Sequence, residues 1–291
     1  MKITKKIAAL ALAAMMMLAL FAGCQSAGNN AAGSSEKEVL TVAISPDFSP
    51  MEFVDTSKSG QDQYVGFDVT LAKFIAAELG KELEIKPMSF DACQTAVQLG
   101  SVDMSISGYS YTEERAKNYL LSDYYYAGDN ETAQTLIVPA DKAGTYASMD
   151  DFSGQKVAAQ SASLQMNLCN DQLPEDCEIV EFKAIDDAVL ALKTGKVDAV
   201  AVAEGNGKAI IANNPDIGMC GCLFEVDEAS ENNVVLINKN NQELLEQVNA
   251  ALAKAYAAGY YGQWYTEAQE LAGIDTAADV SYDDEGNVAA D

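Results

Sequence analysis

Phe90-Asp91-Ala92-Cys93-Gln94-Thr95-Ala96-Val97-Gln98-Leu99-Gly100-Ser101-Val102-Asp103 and, 95 positions later, Ile185-Asp186-Asp187-Ala188-Val189-Leu190-Ala191-Leu192-Lys193-Thr194-Gly195-Lys196-Val197-Asp198 follow one script. In each an Asp precedes a short apolar-periodic segment, a Gly ends it and a Val-Asp pair opens an apolar run. That is the grammar of a capped helix turning into a buried strand. The chain therefore reads as two related α/β units, and a cleft between two lobes is the default place for a ligand.

Working outward, the same alternation continues. Strands are expected at Val39 to Ile44, Leu83 to Ile85, Val102 to Ser107, Leu136 to Val138, Val157 to Ala159, Ile179 to Phe182, Val197 to Val202 and Val234 to Ile237. Helices are expected from Phe67 to Gly80, after Asp91, from about Thr112, at Leu164 to Asn170, Asp186 to Thr194, Glu204 to Asn213 and Gln242 to Ala258. Strands alternating with crossover helices give parallel sheets.

The chain has 291 residues, 49% of them hydrophobic, enough for two cores. Its formal net charge is −26, and −29 once residues 1–23 with Lys2, Lys5 and Lys6 are removed. Such a surface repels nucleic acid and anionic membrane. At the start, three lysines precede an uncharged run from Ile7 to Ala22, the pattern of an export signal. It ends at Leu20-Phe21-Ala22-Gly23-Cys24, which resembles the lipobox of bacterial lipoproteins. Residues 1–23 are thus expected to be a signal peptide, Cys24 the lipidated (palmitate-bearing) N-terminus, and 24–38 a flexible tether.

Export permits disulfides, and five cysteines follow Cys24. Cys93 sits on an apolar helix face, Cys169 with Cys177 is the expected bridge, and Cys220-Gly221-Cys222 lacks the spacing of a zinc site. The chain contains no His, and neither metal nor cofactor is expected.

Chemistry concentrates where strands end, since open α/β sheets place ligands there. In Ser107-Gly108-Tyr109-Ser110-Tyr111-Thr112-Glu113-Glu114-Arg115, Gly108 allows close backbone approach and hydroxyls precede a helix start that favours anions. Arg115 can clasp a carboxylate through two parallel hydrogen bonds. The same residues also read as an ordinary Thr112 cap with Arg115 paired to a neighbouring Glu.

The chain resembles the bacterial extracellular solute-binding proteins of family 3, the polar amino-acid receptors of ABC importers. Carrying the likeness are Pro46-Asp47-Phe48-Ser49-Pro50-Met51-Glu52-Phe53, Val65-Gly66-Phe67-Asp68-Val69, Ser122-Asp123-Tyr124-Tyr125, Gly195-Lys196-Val197-Asp198-Ala199 and Gly259-Tyr260-Tyr261, in order from about Val39 to Ala272. The resemblance implies a two-lobed, type II periplasmic-binding-protein-like fold, each lobe a sheet flanked by helices. Lobe one would comprise 39–128 and 233–273, lobe two 129–232, with hinge crossings near Ala127 to Ala133 and Val226 to Val234 and an acidic tail at 274–291.

It also implies roles. Arg115, with Ser110 and the backbone near Ser163 and Leu164, would take the ligand carboxylate; Ser107 and Gly108 would face its ammonium; Phe48 and Phe90 would flank its side chain. Phe90 equally reads as core. Three residues depart from the family pattern: Ala203 stands where an Asp usually pairs with the ammonium, Ser45 where cation-selective relatives carry an Asp, and Leu164 where a Thr is usual. Glu204 either replaces the missing Asp or faces solvent at a helix start.

The implied function is an extracellular receptor for a polar or small neutral amino acid, with glutamate, cystine and cationic amino acids as alternatives. It would be a monomer, lipid-anchored on the outer face of the cell membrane, working with permease subunits and with no nucleic-acid partner. A cyclohexadienyl-dehydratase-like enzyme and a ligand-sensing subunit for signalling are the other readings of the same fold.

Overall fold

The computed structural model describes residues 37–125 and 133–274. The signal peptide, Cys24, nearly all of the tether and acidic tail, and the first hinge crossing except Ala133 lie outside the described residues.

Up to Tyr125 the chain forms strands β1 (Val39–Ile44), β2 (Asp47–Phe48), β3 (Glu52–Val54), β4 (Tyr64–Val65), β5 (Glu82–Pro87), β6 (Met104–Ser105) and β7 (Leu120–Leu121). Among them run helices α1 (Phe67–Glu78), α2 (Phe90–Leu99) and α3 (Glu113–Asn118). From Ala133 onward come β8 (Gln134–Pro139), β9 (Lys156–Gln160), α4 (Leu164–Gln172), β10 (Glu178–Phe182), α5 (Ile185–Lys193), β11 (Ala199–Ala203), α6 (Glu204–Asn213) and β12 (Ile217–Leu223). The chain then supplies β13 (Leu236–Ile237), α7 (Gln242–Ala257) and α8 (Tyr260–Leu271).

Two five-stranded sheets result, ordered β5-β1-β6-β13-β7 and β10-β9-β11-β8-β12. They share one plan. In each, the first three strands are parallel and joined by helices, and the last two are antiparallel additions. The quoted repeats occupy equivalent places, α2 leading to β6 and α5 leading to β11. A third, three-stranded sheet, β2-β3-β4, carries Asp47 and Phe48, and the hairpin loop that the Lys/Ser/Gly/Gln-rich stretch around Asp55 to Gln63 suggests joins its β3 and β4.

Local chemistry explains the breaks and corrects several expectations. Asp91 and Asp186 are not caps: the helices begin one residue earlier, with Ser89 and Ala184 at the N-cap and no side-chain cap bond. At the other end Gly100 adopts φ +70° and closes α2 in the left-handed conformation. β6 is only Met104–Ser105; Ile106 still bonds Ala43 and packs in the core, and beyond it Ser107, Gly108 and Ser110 face the cleft. The helix expected at Gln242 to Ala258 forms as α7, and a further helix, α8, follows it after Gly259, whose φ of +67° separates the two. Cys169 and Cys177 are both free thiols, as are Cys93, Cys220 and Cys222.

The first lobe's core packs α1, α7 and α8 on its sheet through Phe67, Tyr261, Trp264 and Tyr265, with Phe67 ringed by the other three at 5.8–6.4 Å. In the second lobe Val157, Ala159, Ala199 and Ala201 point to one face and Ala158, Val200 and Val202 to the other, each covered by helices. Both faces being buried, these strands read as continuous apolar runs.

Candidate functional site

Between the two sheets lies a cavity of about 460 Å³ of atom-free space, mouth included. Phe48, Phe90, Ser107, Gly108, Ser110, Arg115, Ser163 and Leu164 all line it. The ninth expected residue, Glu204, is not in its lining: it is the first residue of α6, and the helix turns its carboxylate onto Lys208 one turn away at 3.2 Å. Ala203, immediately before it, does line the cavity.

Arg115 is buried, 6% exposed, on the first turn of α3, which Thr112 caps through its hydroxyl at 3.1 Å. Its Nη1 donates to the Ser110 carbonyl at 2.7 Å and its Nη2 to the Ala162 carbonyl at 3.1 Å. The guanidinium lies 5.6 Å from the Phe90 ring centre and 5.3 Å from that of Tyr109. Burial lowers its pKa to about 10, so it is still a cation at neutral pH. A guanidinium has five N–H donors, so donors remain for a bidentate acceptor.

Opposite it stands the start of α4. Ser163 caps that helix, its Oγ accepting from Met166 N at 3.1 Å. The first-turn N–H groups of Leu164 and Gln165 have no intrahelical partner by helix geometry and belong to residues of the cavity wall. Arg115 from one lobe and a helix N-terminus from the other therefore converge as an anion site.

Gly108 adopts φ +55°, and a Cβ there would come within 2.6 Å of Phe48 Cε1. Only glycine lets the ring lie against this turn. Beneath it sits a buried acid pair. Ser45 N donates to Ser107 Oγ at 3.0 Å, and that hydroxyl in turn donates to Glu52 Oε1. Gly108 N and Tyr125 Oη donate to Asp68 Oδ2 at 2.7 and 3.0 Å. Burial and the proximity of Asp68 push Glu52 well above the usual carboxylate range, and burial raises Asp68 to about 7.

Sequence reasoning missed Asp47 and Gln160 as members of the wall. Asp47 Oδ1 accepts from Ser45 Oγ at 2.9 Å, while Oδ2 accepts from Ile185 N at 2.7 Å and Gln160 Nε2 at 3.3 Å. Burial raises its pKa, opposed chiefly by the Ile185 bond. Its signal was its place, one residue before the cavity aromatic Phe48 and just past the end of β1.

Known proteins resemble this chain in sequence and fold. The arginine-binding extracellular protein ArtP of Bacillus subtilis is 32% identical over 243 residues, covering 81% of this chain and 90% of that protein. The glutamine-binding protein GlnH of the same organism is 28% identical over 273 residues, covering 90% and 96%. Among solved structures, the amino acid ABC transporter substrate-binding protein AbpA of Streptococcus pneumoniae, bound to L-arginine, is 36% identical with a TM-score of 0.73, covering 80% of this chain and 95% of that one. The arginine-bound Gly52Ala mutant of ArgBP from T. maritima is 34% identical with a TM-score of 0.66, covering 74% and 95%. The two-sheet architecture is the type II arrangement of these binding proteins. Residues 40–268 match the model of bacterial extracellular solute-binding proteins, family 3, and the chain belongs to that family.

Proposed function

We propose that this protein is the receptor of an ABC importer and captures an α-amino acid between its lobes. The observation that carries the reading is the convergence of the buried Arg115 guanidinium with the N-terminus of α4 across the cavity, a built site for one carboxylate. Ser107 and Gly108, above the Glu52–Asp68 pair, offer the negative side for the ammonium, and Phe48 and Phe90 flank the side chain. Lobe one comprises 39–128 and 233–273, and lobe two 129–232. A ligand held by both shifts the open–closed equilibrium by its differential affinity, and closure is what a permease reads. The relatives named above are binding proteins. Glu204, the candidate proton donor of an enzyme, is occupied by Lys208, which favours binding over turnover.

The N-terminal pattern supports export, cleavage before Cys24 and lipid anchoring at the outer face of the membrane, with the protein working as a monomer. No helix among the described residues is long and apolar enough to cross a membrane. In cells fed labelled palmitate, the label should attach to the protein and be lost in Cys24→Ser; retained label would remove the anchor.

The receptor reading is tested by melting the full-length protein against the twenty amino acids and cystine, because a ligand of the native state alone raises Tm. One or a few should raise it, and Arg115→Ala should weaken the best of them about a hundredfold or more, the loss expected when a charged hydrogen-bond partner is removed from a buried carboxylate. Undiminished affinity in that variant would sink the assignment. Loss of prephenate or arogenate on incubation with the protein would favour the enzyme instead.

A further inference from the structure

No cysteine lines the cavity between the lobes, yet two of the five free thiols are in contact with each other on β12. β12 is an edge strand of the second sheet and pairs with β8 through Met219 opposite Ile137 and Leu223 opposite Thr135. Cys220, Gly221 and Cys222 therefore stand against the single residue Leu136, a bulge that bends the strand. Residues two apart in a regular strand project from the same face with their Cα atoms about 6.4–6.8 Å apart, the upper end of what a disulfide spans. The bulge draws this pair closer. Cys220 Sγ lies 3.4 Å from the backbone N of Cys222 and 3.4 Å from its carbonyl O, so its sulfur is folded onto Cys222 itself. Thr135 holds the bulge in place, its hydroxyl donating to the Cys222 carbonyl at 2.8 Å.

The two thiols are chemically unequal. As a thiolate, Cys220 accepts from the Cys222 thiol and from the Cys222 N–H. These donors bring its pKa down to about 6, while Cys222, whose proton is engaged in that bond, is pushed up. An attacking thiolate beside a resolving thiol is the equipment of disulfide exchange. Both sulfurs sit in the core of the second lobe, 7% and 5% exposed, but Gly221 between them is exposed on the sheet edge, so the pair lies one residue beneath the surface. Among the described residues no group of three or more side chains is placed to hold a metal ion, so the pair is not part of such a site.

We propose that Cys220 and Cys222 form a dithiol site that exchanges with a low-molecular-weight disulfide and closes to an intramolecular bridge. The Cys220 sulfur attacks one sulfur of the small disulfide, whose S–S bond breaks, and the first small thiolate leaves and takes up a proton. Cys222 then gives up its proton and attacks the Cys220 sulfur of the mixed disulfide, expelling the second small thiolate, which takes up that proton. Two protein thiols are oxidised to one disulfide while the small disulfide is reduced to two thiols. The disulfide that export permits is thus placed on β12 rather than between Cys169 and Cys177.

Oxidised glutathione is the probe that tests this. The full-length protein is reduced, freed of reductant, incubated with the probe at neutral pH, quenched, unfolded, alkylated with iodoacetamide and cut with trypsin. Cleavage after Lys and Arg leaves Cys220 and Cys222 together in fragment 209–239 and Cys169 with Cys177 in fragment 157–183. Mass spectrometry should find 209–239 without alkyl groups and lighter than its dithiol form by two hydrogens, with both cysteines alkylated once dithiothreitol is added. Fragment 157–183 should stay alkylated at both positions. In Cys222→Ser, Cys220 should retain one glutathione; in Cys220→Ser, Cys222 should acquire it at least about tenfold more slowly, as its smaller thiolate fraction requires. Alkylation of both Cys220 and Cys222 after the incubation overturns the proposal, as does closure of 157–183 at the same rate or equal reactivity of the two serine variants.

Discussion

Ala162 is the described non-glycine residue with positive φ, at +59°, and its carbonyl accepts from both Arg115 and Gln94, reaching across from the other lobe. The left-handed conformation costs an L-residue about 1–2 kcal/mol, so it persists where its surroundings impose it. Ala162→Gly removes that cost and returns about 0.4–1 kcal/mol through the freer unfolded chain. A net stabilisation of up to about 1 kcal/mol is expected in urea denaturation. The acid pair predicts a pH dependence. Asp68 is raised to about 7 in the fold, so between its unfolded value near 4 and pH 7 the native state holds more protons than the unfolded one. This contribution to stability therefore declines as pH rises through that window and is level above it. Glu52→Gln removes the other titrating carboxyl of the pair, which burial and the neighbouring Asp68 hold well above its usual range, and the fall in Tm from pH 5 to 7.5 should become shallower than in the native protein.

At the level of elements, α4 depends on its cap for both stability and chemistry. Ser163→Ala should cost about 1 kcal/mol, the usual worth of such a cap, and also weaken carboxylate binding by disturbing the first-turn donors. Gly108→Ala should displace Phe48, lowering ligand affinity more than it lowers Tm, as calorimetry and melting together would show. Elements were legible where a period or a breaker marks them. Phe67, Leu71, Phe74 and Ile75 trace the helix face of α1, and the apolar run of β11 announces a strand buried on both sides. The β2-β3-β4 layer was illegible, because strands of two or three residues have no period to read. β12 was hidden by Gly218 and Gly221, and its Cys220 and Cys222 drew attention as a chemical motif rather than as strand positions buried in a core.

Over the whole molecule, the lobes meet through direct contacts as well as through any ligand. Asn206 is almost fully buried on α6, and its Nδ2 donates to the Ser49 carbonyl at 2.9 Å; Lys183 pairs with Asp91 at 3.5 Å across the mouth. Asn206→Ala, well away from the carboxylate site, should favour the open form and weaken binding about five- to tenfold, the worth of roughly one hydrogen bond. Small-angle scattering should then show a larger radius of gyration at half-saturating ligand than for the native protein. The sequence by itself determined the alternation of elements, the repeated α/β plan, the acidic surface and the candidacy of Arg115, since each follows from short-range periodicity, composition or capping chemistry. Only the tertiary structure decided that Asp47 joins the site and that Cys169 and Cys177 stay free. The carboxylate of Asp47 meets the N–H of Ile185 across 138 positions of chain. Which side chains share such a pocket is set by how two lobes close on each other, and no local pattern encodes that distance.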